Sequence, residues 1–243
     1  MEPSTVNGRP RGRPRVSLID RESIVDAALA QLRADGLDGL TMRALARRLG
    51  VSNSALYNHV PSRAAVLAAV QERFVTRLDA GGFGTVSLRQ ALARWAWSYL
   101  VQLREHPELV PVIVAVPVAQ APRTSGMYQR VISGFAAAGW PEESIIASMS
   151  VLETFIFGAA LDSPAPDDVY APHDPEHSPL LARTYEAFAE AVAAQRARPR
   201  DVIFTIGLDA ALTGLHQLWG TGRGWDAISV PYQPPGRVGG GDR

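Results

Sequence analysis

A glycine at position 50, set between two short runs of helix-forming residues, constrains this chain more than any other feature. Within the segment Thr41 to Val60, Thr41 and Ser52 stand where a side-chain oxygen accepts from the orphan amides of a helix start. Gly50 supplies the left-handed residue that ends the first helix. Leu45, Leu49, Val51, Leu56 and Val60 fall where a bent helix pair must turn inward, leaving Arg43, Asn53, Ser54, Tyr57 and His59 facing out. A pair that packs its spine and displays short hydrogen-bonding groups from its second helix has the build of an element that enters a DNA major groove. An ordinary αα-hairpin shares the spacing and the glycine turn. The outward side separates the two readings, because Arg, Asn, Ser, Tyr and His suit bases and phosphates, whereas Glu and Lys would decorate a merely solvated helix.

Charge agrees with that placement. Formal net charge over the 243 residues is zero, but residues 1–77 hold 12 arginines and 7 acids, and the remainder 12 arginines and 17 acids. A basic front joined to an acidic rear is the footprint of a polyanion-binding domain on a differently employed partner. Residues 1–17 carry Arg9, Arg11, Arg13 and Arg15 among Pro and Gly, without hydrophobic periodicity, and read as a disordered arm. Such a slim basic strand fits a narrow A·T-rich minor groove, and Arg11-Gly12-Arg13-Pro14 resembles an AT-hook. The simpler alternative is a basic tail with only non-specific attraction to DNA.

The absence of cysteine excludes a disulfide framework and a thiolate metal site. The longest apolar run, Val110 to Ala119, is too short for a bilayer and holds two prolines, so a soluble, cytoplasmic protein without membrane contact is expected. Hydrophobic spacing predicts helices throughout. Residues 20–34 form an amphipathic helix capped by Asp20 and ended by Asp35-Gly36. Pro61 opens a fourth helix at its first turn, running to about Leu78. Helices follow at 88–104, in short Pro-interrupted pieces at 107–119, and from about Ser125 to Ala138. Residues 142–161 and 200–219 are apolar nearly all round, with small-residue stripes Ser150, Thr154, Gly158 and Gly207, Ala211, Gly214. Either another subunit covers these helices in a four-helix bundle, giving a homodimer, or they are buried within the chain. Ser163 to Pro179 reads as a long loop. The expected organisation is all-α: a three-helix helix–turn–helix domain at 18–64, a helical ligand-binding and dimerisation domain at 65–220, and a flexible tail at 221–243.

The residues from about Arg21 to Val70 resemble the TetR family of transcriptional regulators: Ala27-Ala28-Leu29, Asp35-Gly36-Leu37, Leu40 to Arg43, Leu45-Ala46, Leu49 to Val51, Leu56 to Val60, and Leu67. The rear half is similar to the tetracycline-repressor branch in element order, more loosely. The resemblance implies a homodimer on a palindromic double-stranded operator, released when a small-molecule effector enters the rear domain. It gives base contacts to Arg43 and Asn53 with Ser54 and Ala55 beside them, and phosphate contacts to Thr41, Ser52, Tyr57, His59 and Arg63.

At the positions where the tetracycline repressor keeps a drug-binding Asn and a metal-binding His, this chain has Trp95 and Ile113. No metal and no cofactor is therefore expected, and Asp162 stands where a distal carboxylate survives. Trp95, Tyr99, Val112, Val116, Met127, Val131, Phe135 and Phe155 compose an apolar, aromatic effector pocket with His106 and Gln120 as polar handles, unless these aromatics are ordinary core. A small apolar or aromatic effector follows from that pocket. An enzyme is not expected: the five histidines lack metal-ligand spacing, and no nucleophile elbow, phosphate loop or dinucleotide fingerprint is present. The alternative is an architectural DNA-binding protein, or a regulator without a small-molecule ligand.

Overall fold

In a computed structural model, residues 19–220 are described, and among them every regular element is helical. The chain divides into two compact units after Val70, rather than at residue 64. The arm at 1–17 and the tail at 221–243 lie outside the described residues, and with them Arg9, Arg11, Arg13 and Arg15.

The first unit begins with α1 (Arg21–Gly39), where Asp20 and Ser23 form a reciprocal capping box. Ile24, Val25, Ala28 and Leu32 turn its apolar stripe into the core. Gly36 (φ 69°, ψ −172°) breaks the helix where the Asp35-Gly36 pair predicts a stop. Then come α2 (Met42–Leu49) and α3 (Asn53–Tyr57), packed in sequence on α1 and on one another. Next, α4 (Arg63–Val75) runs across the division. Pro61 does not open it. Ser62 intervenes as a cap, its Oγ accepting from the Ala65 N–H at 3.1 Å and its carbonyl from Val66 N–H, so the helix starts two residues past the proline. The helical bonding ends at Val75, earlier than the apolar spacing indicates, and gives way to turn bonds from Arg77 and Leu78.

The second unit is built on α5 (Leu88–Glu105), whose Trp95, Ala96, Tyr99, Leu100 and Leu103 are wholly buried. Burying one such large apolar side chain is worth about 1.5–3 kcal/mol. The proline-interrupted stretch becomes a single turn at Pro107–Leu109, α6 (Val110–Ala115), and another turn at Val118–Gln120. Then follow α7 (Pro122–Ala137), α8 (Glu142–Asp162), α9 (Pro179–Gln195) and α10 (Pro199–Leu215). Proline opens α7, α9 and α10, where its missing N–H costs nothing. The alanine-rich α9 is an element that the apolar pattern did not single out. The expected loop before it consists of turns from Ser163 to Ser178.

Among the described residues α8 is long and apolar enough to cross a membrane, with a mean hydropathy of 1.7. Its apolarity has a local cause. Ile145, Met149, Leu152, Ile156 and Ala160 form a buried inner face, and the helix packs on α5, α7 and α10. The outer faces of α8 and α10 remain uncovered in the single chain, exposing Ile146, Val151, Leu161, Ile203 and Ile206. Ser150, Thr154 and Gly158 share that outer side of α8. The stripe on α10 works differently from expectation. Gly207 faces inward to α8, where a Cβ would stand 2.6 Å from the Phe155 ring.

Candidate nucleic-acid interface and aromatic core

The helix–turn–helix is closed by local chemistry. The Thr41 hydroxyl accepts from the Ala44 N–H at 3.1 Å, and the Ser52 hydroxyl from the Ala55 N–H at 3.1 Å. Gly50 sits at φ 69°, ψ 29°; the Val51 N–H reaches the Ala46 carbonyl and the Gly50 N–H the Arg47 carbonyl. This six-to-one and five-to-two pairing satisfies the end of α2 and sets the angle at which α3 leaves. Leu45, Ala46, Leu56 and Val60 are buried beneath the pair.

What remains outside is polar. Thr41, Arg43, Ser52, Asn53, Ser54 and His59 are exposed, Ala55 is half-buried, and Tyr57 is 49% exposed rather than packed beneath the helix. Ser52 and Ser54 share a hydroxyl–hydroxyl bond of 3.1 Å, and each keeps capacity for a further partner. Arg47 and Arg48 add two exposed guanidinium groups in the last turn of α2. The sequence reading missed them, although two adjacent arginines beside the turn glycine are a visible signal. Arg63 is already employed: its Nε donates to the Leu40 carbonyl at 2.7 Å and an Nη to that of Leu37, tying the end of α1 to the start of α4.

In the second unit Trp95 and Tyr99 meet edge to face at 5.3 Å, and Tyr99 also touches Phe74 and Phe157. Val112, Val116, Met127, Val131 and Phe135 are also buried, the last three on one face of α7, and Phe135 meets Trp140 edge to face at 5.0 Å. The core is closed, since Trp95, Tyr99, Val112, Val131 and Phe135 have no exposed surface. Other expected members lie apart: Phe155 stacks on Phe204, Gln120 is exposed, and His106 faces Glu108 at 3.3 Å. Asp162 pairs with Arg200 at the end of α8.

The polar feature of this core is Glu153, which sequence reasoning overlooked. It is a lone acid amid an otherwise apolar stretch of α8, and it accepts from the hydroxyls of Tyr128 and, at 3.5 Å, Tyr99. Burial holds the carboxyl above the ordinary range, against the downward pull of both phenol bonds. Burial, and then the neighbouring carboxylate, drive both tyrosine hydroxyls upward. Tyr128 and Glu153 reach a groove of about 390 Å³ between α7 and α8.

A capped, glycine-turned helix pair on a small helical unit, followed by a larger helical unit, defines a helix–turn–helix regulator. The model for bacterial regulatory proteins of the tetR family matches residues 24–70, and that for the tetracyclin repressor-like C-terminal domain matches residues 66–219. The chain belongs to the TetR family. It is similar to the HTH-type transcriptional repressor DrrR1 of Streptomyces coeruleorubidus, 29% identical over 154 residues, or 63% of this chain and 56% of that protein. It is 36% identical to the class D tetracycline repressor protein of Escherichia coli over 103 residues, 37% of this chain and 47% of that one. The chain thus spans about half the length of both relatives. The Streptomyces coelicolor TetR family protein ActR, in complex with actinorhodin, matches with a TM-score of 0.65 at 21% identity over 84% of this chain and 98% of that one, a likeness of fold alone.

Proposed function

We propose that the chain is a transcriptional repressor that binds a palindromic operator as a homodimer and is released by a small-molecule effector. The observation that carries this is the turn at Gly50, which presents a polar, arginine-bearing surface on a packed helix pair. On this reading Arg43 and Asn53 read base edges beside Ser54 and Ala55. Thr41, Ser52, Tyr57, His59 and the remaining donors of Arg63 hold phosphates. The repressors among its relatives support the direction of control, and the complex of ActR with actinorhodin supports a small-molecule effector.

The exposed Val151, Thr154, Gly158 and Leu161 of α8, with Ile203 and Ile206 of α10, support the dimer, since burying them needs a second copy. Ile146 and Ser150 instead line the groove between α7 and α8. Effector binding has to favour one spacing of the two recognition helices. A coupling of about 1–3 kcal/mol lowers operator affinity roughly 5–150-fold. A cytoplasmic location accompanies this role.

The test is footprinting on the region upstream of the protein's own gene, with competitor DNA and sedimentation alongside. A protected palindrome and a two-chain species are expected. Binding without sequence preference would favour the architectural reading and end this one. Replacing Arg11 and Arg13 together should weaken binding and flatten its salt dependence; unchanged affinity and slope would make the arm a passenger.

A further inference from the structure

Glu153 is partly buried and faces a groove whose walls are chiefly apolar, from Val118, Ile132, Ile146 and Met149. Among the groove's lining residues it is the one charged group, and among the described residues it has no cationic partner. Its bonds come from two phenols, neutral donors that satisfy lone pairs but leave the net charge uncompensated. Elsewhere in this unit, acids of low exposure have guanidinium partners, as Asp201 has Arg104 and Glu72 has Arg123. A partly buried anion held without a counter-charge is costly, and an incoming cation removes that cost.

The surroundings fit such a visitor. The groove offers about 390 Å³, room for a small organic body, and its walls suit an apolar one. The Tyr128 ring, which lines the groove and holds the carboxylate, is itself a face that attracts cations. Ser125 and Gln129 stand at the rim as further neutral polar groups.

We infer that the groove between α7 and α8 binds an amphipathic organic ammonium ion, its charged nitrogen on Glu153 and its apolar body against Val118, Ile132, Ile146 and Met149. The inference rests on the effector reading for its regulatory consequence. Binding itself stands independently. The contact would also reach the aromatic core, because Tyr99 shares Glu153 with Tyr128 and touches Phe74 and Trp95.

A charge series of one shape tests it on the full-length protein. 4-Phenylbutylammonium, 4-phenylbutanol and 4-phenylbutyrate are titrated calorimetrically. The ammonium ion is expected to bind about ten- to a hundredfold more tightly than the alcohol, the range of a charge-assisted hydrogen bond, and the carboxylate weakest of the three. The preference should vanish in Glu153→Gln. It should be reduced but kept in Tyr128→Phe, which retains ring and charge. Equal affinity of ammonium and alcohol for the wild-type protein would overturn the site, whatever the variants do. So would a preference that persists in a folded Glu153→Gln protein. Operator release is scored separately by gel shift. Binding without release would keep the site and remove its role as effector site, whereas release by neutral compounds with no ammonium preference would remove the site and keep the effector reading.

Discussion

Arg43 is exposed in the first turn of α2, and no partner is bonded to it among the described residues. Its guanidinium is therefore free to pair with a guanine edge without first breaking an internal bond. Arg43→Ala should cost about 1–3 kcal/mol of operator affinity and flatten discrimination at one base position, read by gel shifts across single-base operator variants. Uniform weakening over all variants would move Arg43 to the phosphate class. Glu153 yields a second expectation, with the sign fixed by its raised folded-state pKa. A carboxyl lifted by burial contributes stability that is complete below its unfolded-state pKa and is lost as pH rises through the folded-state value. Urea unfolding across that window should show the wild-type protein losing stability relative to Glu153→Gln. Superimposable pH profiles would contradict it. Asp20 and Asp174, lowered by hydrogen bonds from Ser23 and His177, act in the opposite sense, and the difference between the two proteins cancels them.

At the scale of elements, what is local was legible and what is tertiary was not. The caps at Asp20, Thr41 and Ser52, the break at Gly36 and the closure at Gly50 each depend on residues within about one turn, and the sequence reading placed them all. Pro61 was misread because Ser62 offers a better cap, and Arg63 is occupied by carbonyls that only folding brings near. The groove at Glu153 requires knowing which face of α7 meets which face of α8, and hydrophobic spacing does not encode that pairing. Gly207 illustrates the same limit, since its small size serves the Phe155 ring across from it. With five residues, α3 is far too short to persist alone, so its order is borrowed from α2 and the core beneath it. Gly50→Ala forces a left-handed alanine and should destabilise the protein by about 1–2 kcal/mol. Operator affinity should fall with it even though Gly50 contacts no base; a thermal midpoint equal to wild type would show the turn to be tolerant.

At the scale of the whole molecule, the uncovered strips on α8 and α10 are the largest unfinished business of the single chain. Ile206 is 62% exposed near the middle of α10. On the proposed dimer, Ile206→Glu places a charge in the contact between copies, and sedimentation is expected to report two-chain species for the unaltered protein and single subunits for the variant. Pairing undisturbed by that glutamate would move the dimer contact elsewhere. One consequence follows for how such a regulator behaves as its abundance changes. If those isoleucines find shelter only against a twin, occupancy of the gene's control site scales with the square of subunit number while twins are scarce. Control would then sharpen from a gradual slope into something closer to a threshold, with two greasy ridges setting where it lies.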